Sequence, residues 1–86
     1  MKINILFFAS VREMFDIHKK DVEILDSENS PNKLLRFLSK KEEGSWTLLL
    51  NQKDSIRVAI NQELCSWDDL LNDGDELAFF PPITGG

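Results

Sequence analysis

The sequence has one cysteine, one histidine, no long apolar run and no glycine-rich phosphate loop. Each shortage closes a class of function. Cys65 alone cannot form an intramolecular disulfide or a cysteine-based metal site, a usage that fits a reducing, cytoplasmic setting. His18 has no second ligand near it in sequence, so it reads as a loop or surface residue, not a metal ligand or base. A spanning helix needs about 18 consecutive apolar residues, so no membrane segment is expected. Without a phosphate loop the chain has no visible means of binding ATP on its own, and it is not built as a stand-alone catalyst. Positive charge is short as well. The net charge of −5 argues against nucleic acid and fits a basic protein partner.

What is present suits one small domain. The chain has 86 residues, and a domain of that size buries roughly 60 % of its unfolded surface, enough to fold without disulfides. No repeat, low-complexity tract or linker interrupts it. "KINILFFAS" (2–10) is rich in β-formers and reads as a strand. Its apolar stretch is short and broken by Asn4, so a cleaved leader is not expected. "KKDVEIL" (19–25) alternates Asp21 and Glu23 with Val22 and Ile24, as a strand with one wet face does. The intervening "VREMFDIH" reads as a longer loop, with Met14 and Phe15 as plugs beneath it.

Ser30-Pro31 is a helix start: a capping hydroxyl, then a proline where no amide hydrogen is missed. Leu34, Leu35 and Leu38 follow on one face, with Phe37 beside it, and Gly44 ends the unit. Ser45 and "WTLLLN" suggest a second short helical turn with Trp46 and Leu49 packed inward. "SIRVAIN" (55–61) is another strand. Ser66 to Asp69 matches a capping box opening a short turn through Leu70 and Leu71. Asn72-Asp73-Gly74 is a turn by its chemistry, and "DELAFFP" is the last strand, ended by Pro81. Asp68, Asp69, Asp73, Asp75 and Glu76 lack the spacing of an EF-hand loop and read as turn acids on a solvated face; no metal site is expected. Cys65 reads as a small packing residue.

The order β-β-α-β-(short turns)-β, with one main helix laid on a mixed sheet, predicts an α+β roll of the ubiquitin-like β-grasp type over residues 1–80. The first and last strands are the most apolar, which places them centrally and side by side. Alternation puts Ile3, Ile5 and Phe7 on one face of the first strand, with Leu6 and Phe8 on the other. On the last strand Leu77 and Phe79 share one face, Ala78 and Phe80 the other. One helix layer covers one face of so small a sheet. The face carrying Phe8 and Phe80 is then either a partner site or is covered by loops or the Trp46 segment.

The sequence closes on "FFPPITGG". Pro81 and Pro82 restrict the backbone to extended forms, and Ile83 and Thr84 are β-branched and stiff. Gly85 and Gly86 have no side chains and could thread a narrow channel. The stretch 81–86 reads as an extended tail; at ~3.3–3.6 Å per residue it reaches roughly 20 Å.

"ILFFASVRE", "VAINQEL" and "LNDGDELAFFPPITGG" together resemble the sulfur-carrier small subunits of molybdopterin synthases, the sulfur donors of molybdenum-cofactor biosynthesis. The resemblance spans essentially the whole chain. The FFPP block sets it apart from the similar thiamine-pathway carriers, which also end in Gly-Gly. It implies that the Gly86 carboxylate is adenylated by a ubiquitin-activating-type adenylyltransferase using ATP, and that a sulfur donor protein converts it to a thiocarboxylate. The tail then enters the large subunit and delivers sulfur to a cyclic pterin phosphate, within a heterotetrameric transferase. It implies sulfur-bearing and threading roles for Gly86 and Gly85, and partner contacts by Phe8, Leu64, Phe80, Pro81, Pro82, Ile83 and Thr84. The Asn61-Gln62 turn is expected to bring Leu64 beside the two phenylalanines. Arg12 and Glu13 match the family's VRE segment without a derived role. A ubiquitin-like modifier or binding module, with Gly86 joined to an amine or merely docked, remains the alternative, as does the sulfur carrier of another pathway such as thiamine.

Overall fold

The computed structural model describes residues 1–82. Five strands form one mixed sheet: β1 (Lys2–Phe7), β2 (Lys19–Glu23), β3 (Arg57–Ile60), β4 (Glu63–Cys65) and β5 (Glu76–Phe80). Their order across the sheet is β2-β1-β5-β3-β4. β1 and β5 run parallel, with Ile5 opposite Leu77 and Phe7 opposite Phe79. The other pairings are antiparallel. The expected central pairing of the first and last strands is therefore present, and the fold is the α+β β-grasp.

Among the described residues there are three α-helices, α1 (Ala9–Phe15), α2 (Pro31–Glu42) and α3 (Ser45–Asn51), and one 3-10 turn, Lys53–Ser55. α2 starts where its chemistry dictates, with the Ser30 hydroxyl accepting from the Lys33 N–H at 3.1 Å and Pro31 in the first turn. Leu34, Leu35 and Leu38 are buried against the sheet residues Ile3, Ile5, Phe7, Val58, Leu77 and Phe79. α3 buries Trp46 and Leu49, and the Ser39 and Thr47 hydroxyls join it to α2 at 2.8 Å. Trp46 thus belongs to the core, and neither it nor the loops cover the second face of the sheet.

Residues 9–15, expected as the end of the first strand and part of the loop after it, form a helix instead. Its N-cap is Phe8, with no capping side chain, and Val11 is its one buried residue. So short a helix is marginal by itself. Packing holds it: Phe15 stacks on Phe7 with centroids 4.2 Å apart and meets Trp46 edge-on at 4.6 Å. Met14 and Phe15 do plug the core, as expected.

The segment 66–71 departs in the other direction. The capping-box bonds close, Ser66 N–H donating to Asp69 Oδ2 at 2.9 Å and Asp68 N–H to Ser66 Oγ at 3.2 Å, yet no helix follows. The chain is drawn to the start of α2, where the Asn32 N–H donates to the Trp67 carbonyl and the Leu71 N–H to the Asn29 carbonyl, each at 2.9 Å. Trp67 so satisfies a free amide at the helix start. The short strand β4 was hidden in sequence because it is three residues long.

Phe79 is fully buried while its neighbour Phe80 is half-buried on the opposite face. Phe79→Ala is expected to cost about 3–5 kcal/mol of stability. Phe80→Ala is expected to cost less than about 1.5 kcal/mol, as a substitution outside the core. Chemical denaturation of both variants measures the difference, and equal losses would contradict the two-faced assignment.

Candidate functional site

The sheet face away from the helices carries a groove of about 710 Å³. Its floor follows from register. Leu6 pairs with Ala78, Ala78 with Ala59, and Ala59 with Leu64, so these four form one row across β1, β5, β3 and β4. Partners at one position in a ladder point to the same face. The two alanines in the middle of the row leave a depression, and Leu6 lies beside them. Phe8 and Phe80 wall it at the end where β1 and β5 finish, together with Ala9, Pro81 and Pro82. Gln62 and Glu76 line the opposite end, where the β3–β4 hairpin meets the start of β5. Phe8 is 48 % exposed, which is high for a phenylalanine placed beside other apolar groups.

Leu64 stands differently from expectation. It shares the face and is 72 % exposed, but it does not line the groove with Phe8 and Phe80. Ala59 separates it from Ala78. Two strand spacings of about 4.8 Å each therefore lie between β4 and β5. The expected Asn61-Gln62 turn is present, and it folds the unanticipated strand β4 back onto β3 at the sheet edge. The face so offers an open groove and, beside it, a separate leucine ridge.

Backbone and side-chain bonds hold the hairpin end. Asn61 Nδ2 donates to Asp75 Oδ1 at 3.0 Å, and the Glu76 N–H donates to Asn61 Oδ1 at 3.0 Å. Asp75 Oδ2 also accepts from the Asn72 N–H at 2.8 Å, and Asp73 Oδ1 from the Lys2 N–H at 2.6 Å. The turn acids are thus bonded to the chain's own donors. Among the described residues no group of His, Cys, Asp and Glu could hold a metal ion.

Charge on this face is divided by position: Lys19 lies opposite Leu6 and Arg57 opposite Phe80, while acids gather toward the hairpin end. All ten Lys and Arg lie at or before Arg57, whereas Glu63, Asp68, Asp69, Asp73, Asp75 and Glu76 follow it. Beyond Arg57 the chain therefore contributes acids without bases, a partition that the total charge conceals. A partner meeting this end would be favoured by positive charge.

The remaining candidates fall outside the groove. His18 and both VRE residues, Arg12 and Glu13, are exposed; the His18 carbonyl accepts from the Phe7 N–H at 2.9 Å. Ile83, Thr84, Gly85 and Gly86 lie outside the described residues. No described helix is long and apolar enough to cross a membrane.

Comparison with known proteins matches residues 5–86 to the model of the ThiS family. A molybdopterin synthase sulfur carrier subunit from Escherichia coli is 39 % identical over 84 residues, covering 98 % of this chain and 99 % of its own. Two solved structures share the fold. The Haloferax volcanii protein SAMP1 superposes with a TM-score of 0.76 at 24 % identity, covering all of both chains. A complex of subunits 1 and 2 of the molybdopterin-converting factor from Helicobacter pylori contains a chain matching at 0.65 and 24 %, again over both full lengths.

Cys65 is half-buried on the core side of β4 and packs against the hydrophobic cluster. Burial pushes its thiol above the usual cysteine range, the Asp69 carboxylate pushes it further, and a hydrogen bond with the Ile60 backbone opposes both. The thiol therefore stays protonated and a poor nucleophile at neutral pH. A folded value above the unfolded one gives a contribution to stability that is intact below the unfolded value and lost as pH rises through the folded value. Denaturation curves across the alkaline range should show that loss in the parent and a smaller one in Cys65→Ala. Identical alkaline behaviour would contradict the assignment.

Proposed function

We propose that this chain, which belongs to the ThiS family, is the sulfur carrier subunit of a molybdopterin synthase. The observation that carries the reading is the end-to-end match to a sulfur carrier subunit at 39 % identity, with nearly the whole of both chains covered. The open-face groove supports it, because it offers a partner an apolar surface by which to hold the carrier.

In this reading Gly86 does the chemistry. Its carboxylate is a poor electrophile, so an activating adenylyltransferase first joins it to AMP from ATP, releasing pyrophosphate. A sulfur donor protein displaces the AMP and leaves a thiocarboxylate. The tail then carries that sulfur into the active site of the large subunit, where it attacks the cyclic pterin precursor. Two such deliveries supply the dithiolene. The chain's contribution is the nucleophile and its placement; the partner orients the reacting atoms. ATP is bound by the activating partner, not by this chain, and the site of action is the cytoplasm.

The described residues give this scheme its leverage. β5 pairs with β1 through Phe79 and ends at Phe80, and Pro81 cannot continue the ladder because it has no N–H. Phe80 and Pro81 both line the groove. A partner seated there grips the domain where the tail departs. Gly85 follows as the unhindered residue that lets Gly86 pass through a narrow channel, with Pro82, Ile83 and Thr84 as the stiff stem. Leu64, on its separate ridge, adds an apolar contact at the acidic edge.

Appending one residue after Gly86 should abolish product formation in an assay with the activating enzyme, sulfur source and large subunit, while leaving the fold intact. Product from the extended chain would refute the scheme. Phe80→Ala should weaken affinity for the large subunit about tenfold through lost apolar burial, and unchanged affinity would remove Phe80 from the docking site.

A further inference from the structure

Two of the groove residues have backbones suited to glycine. Ala9 has φ +52° and Gln62 has φ +69°, and both line the groove. At such angles the Cβ approaches the following carbonyl oxygen, so single glycines are the ordinary occupants. Gln62 is the second residue of a two-residue hairpin turn in which both residues, Asn61 at +50° and Gln62, have positive φ. Glycine dominates that second position in such turns.

The fold gives little in exchange for either side chain. Both residues are exposed. Asn61, by contrast, uses its amide to bond Asp75 and Glu76. Asp16, at φ +59°, closes α1 with its N–H on the Arg12 carbonyl, and aspartate is among the residues that tolerate this region. Glu43, at φ +55°, closes α2 and does not line the groove. Strained residues that converge on one cleft point to a role in that cleft.

We infer that Ala9 and Gln62 are docking residues, retaining side chains at glycine-like positions because each contacts the partner held in the groove. They stand at its two ends. Ala9 follows Phe8 where β1 stops and the tail leaves, and its methyl extends the apolar wall of Phe8, Phe80 and Pro81. Gln62 stands beside Glu76 at the hairpin end, where its amide offers a donor and an acceptor. The occupant that fits is an apolar segment of the large subunit with a polar backbone or side-chain group at the Gln62 end. The inference rests on the reading of the groove as the large-subunit docking site.

The test compares Ala9→Gly, Gln62→Gly, Glu43→Gly and Phe80→Ala in the full chain, by calorimetric titration with the large subunit and by thermal melting. All three glycine variants are expected to melt no lower than the parent, with any rise on the order of 4 °C. Ala9→Gly should bind about fourfold more weakly, the loss of one methyl-sized group. Gln62→Gly should bind about tenfold more weakly, and Glu43→Gly should bind like the parent. Gln62→Ala keeps the Cβ and the backbone strain, so it separates the side chain from hairpin stiffness; it too should bind several-fold more weakly at an unchanged melting temperature. Parent-like binding by the Ala9 and Gln62 variants, while Phe80→Ala is weakened, would overturn the inference and leave the groove reading standing. So would glycine variants that melt lower, because the side chains would then serve the fold. Unchanged affinity in Phe80→Ala would instead bring down the groove reading and the inference with it.

Discussion

The parallel pairing of β1 with β5 is the constraint on which the rest of the molecule depends. It joins the beginning of the chain to its last strand, with Asn4 opposite Glu76 and Phe7 opposite Phe79. The Phe8 N–H extends the ladder to the Phe79 carbonyl at 3.2 Å. Each strand presents large apolar groups to the helices from one face and a smaller apolar set from the other. The first set closes the core with α2 and α3. The second, thinned by Ala59 and Ala78, leaves a groove. Because the strands are parallel, both finish at the same end of the sheet, so Phe8, Phe80 and the departure of the tail coincide. The groove and the point where the chain leaves β5 thus arise from a single strand pairing.

Much of this was legible in the sequence because it rests on period and punctuation. The alternation of Ile3, Ile5 and Phe7 against Leu6 and Phe8 placed both faces of β1 correctly. Ser30-Pro31 located the start of α2, and the buried Leu34, Leu35 and Leu38 follow helical spacing. Pro81 marked the end of β5 for a reason that survives in the structure, its missing N–H. The open face was legible only as a choice between a partner site and a covered surface. Burial of Trp46 in the core removes one of the covers considered, since that segment lies on the other side of the sheet.

What was illegible depends on contacts distant in sequence. α1 has no capping side chain and is held by Phe15 against Phe7 and Trp46, a cluster drawn from three separate elements. The capping box at Ser66 forms its bonds, yet the amides at the start of α2 claim the carbonyl of Trp67 and the helix does not grow. Leu64 was placed on the correct face but too near the phenylalanines, because a three-residue strand gave no sign that β4 would lie beyond β3 at the edge. Backbone angles were hidden too: nothing in "FASV" or "INQE" announces a left-handed alanine or glutamine.

The central claim is that this domain carries sulfur at its terminal glycine. Accurate intact mass after incubation with ATP, an activating enzyme and a sulfur source tests it most directly. Fragmentation must locate the change, since exchange of oxygen for sulfur is nearly equal in mass to oxidation of Met1 or Met14. The account predicts one oxygen replaced by sulfur at Gly86. An unmodified Gly86, with the same enzymes active on a control carrier, would contradict it.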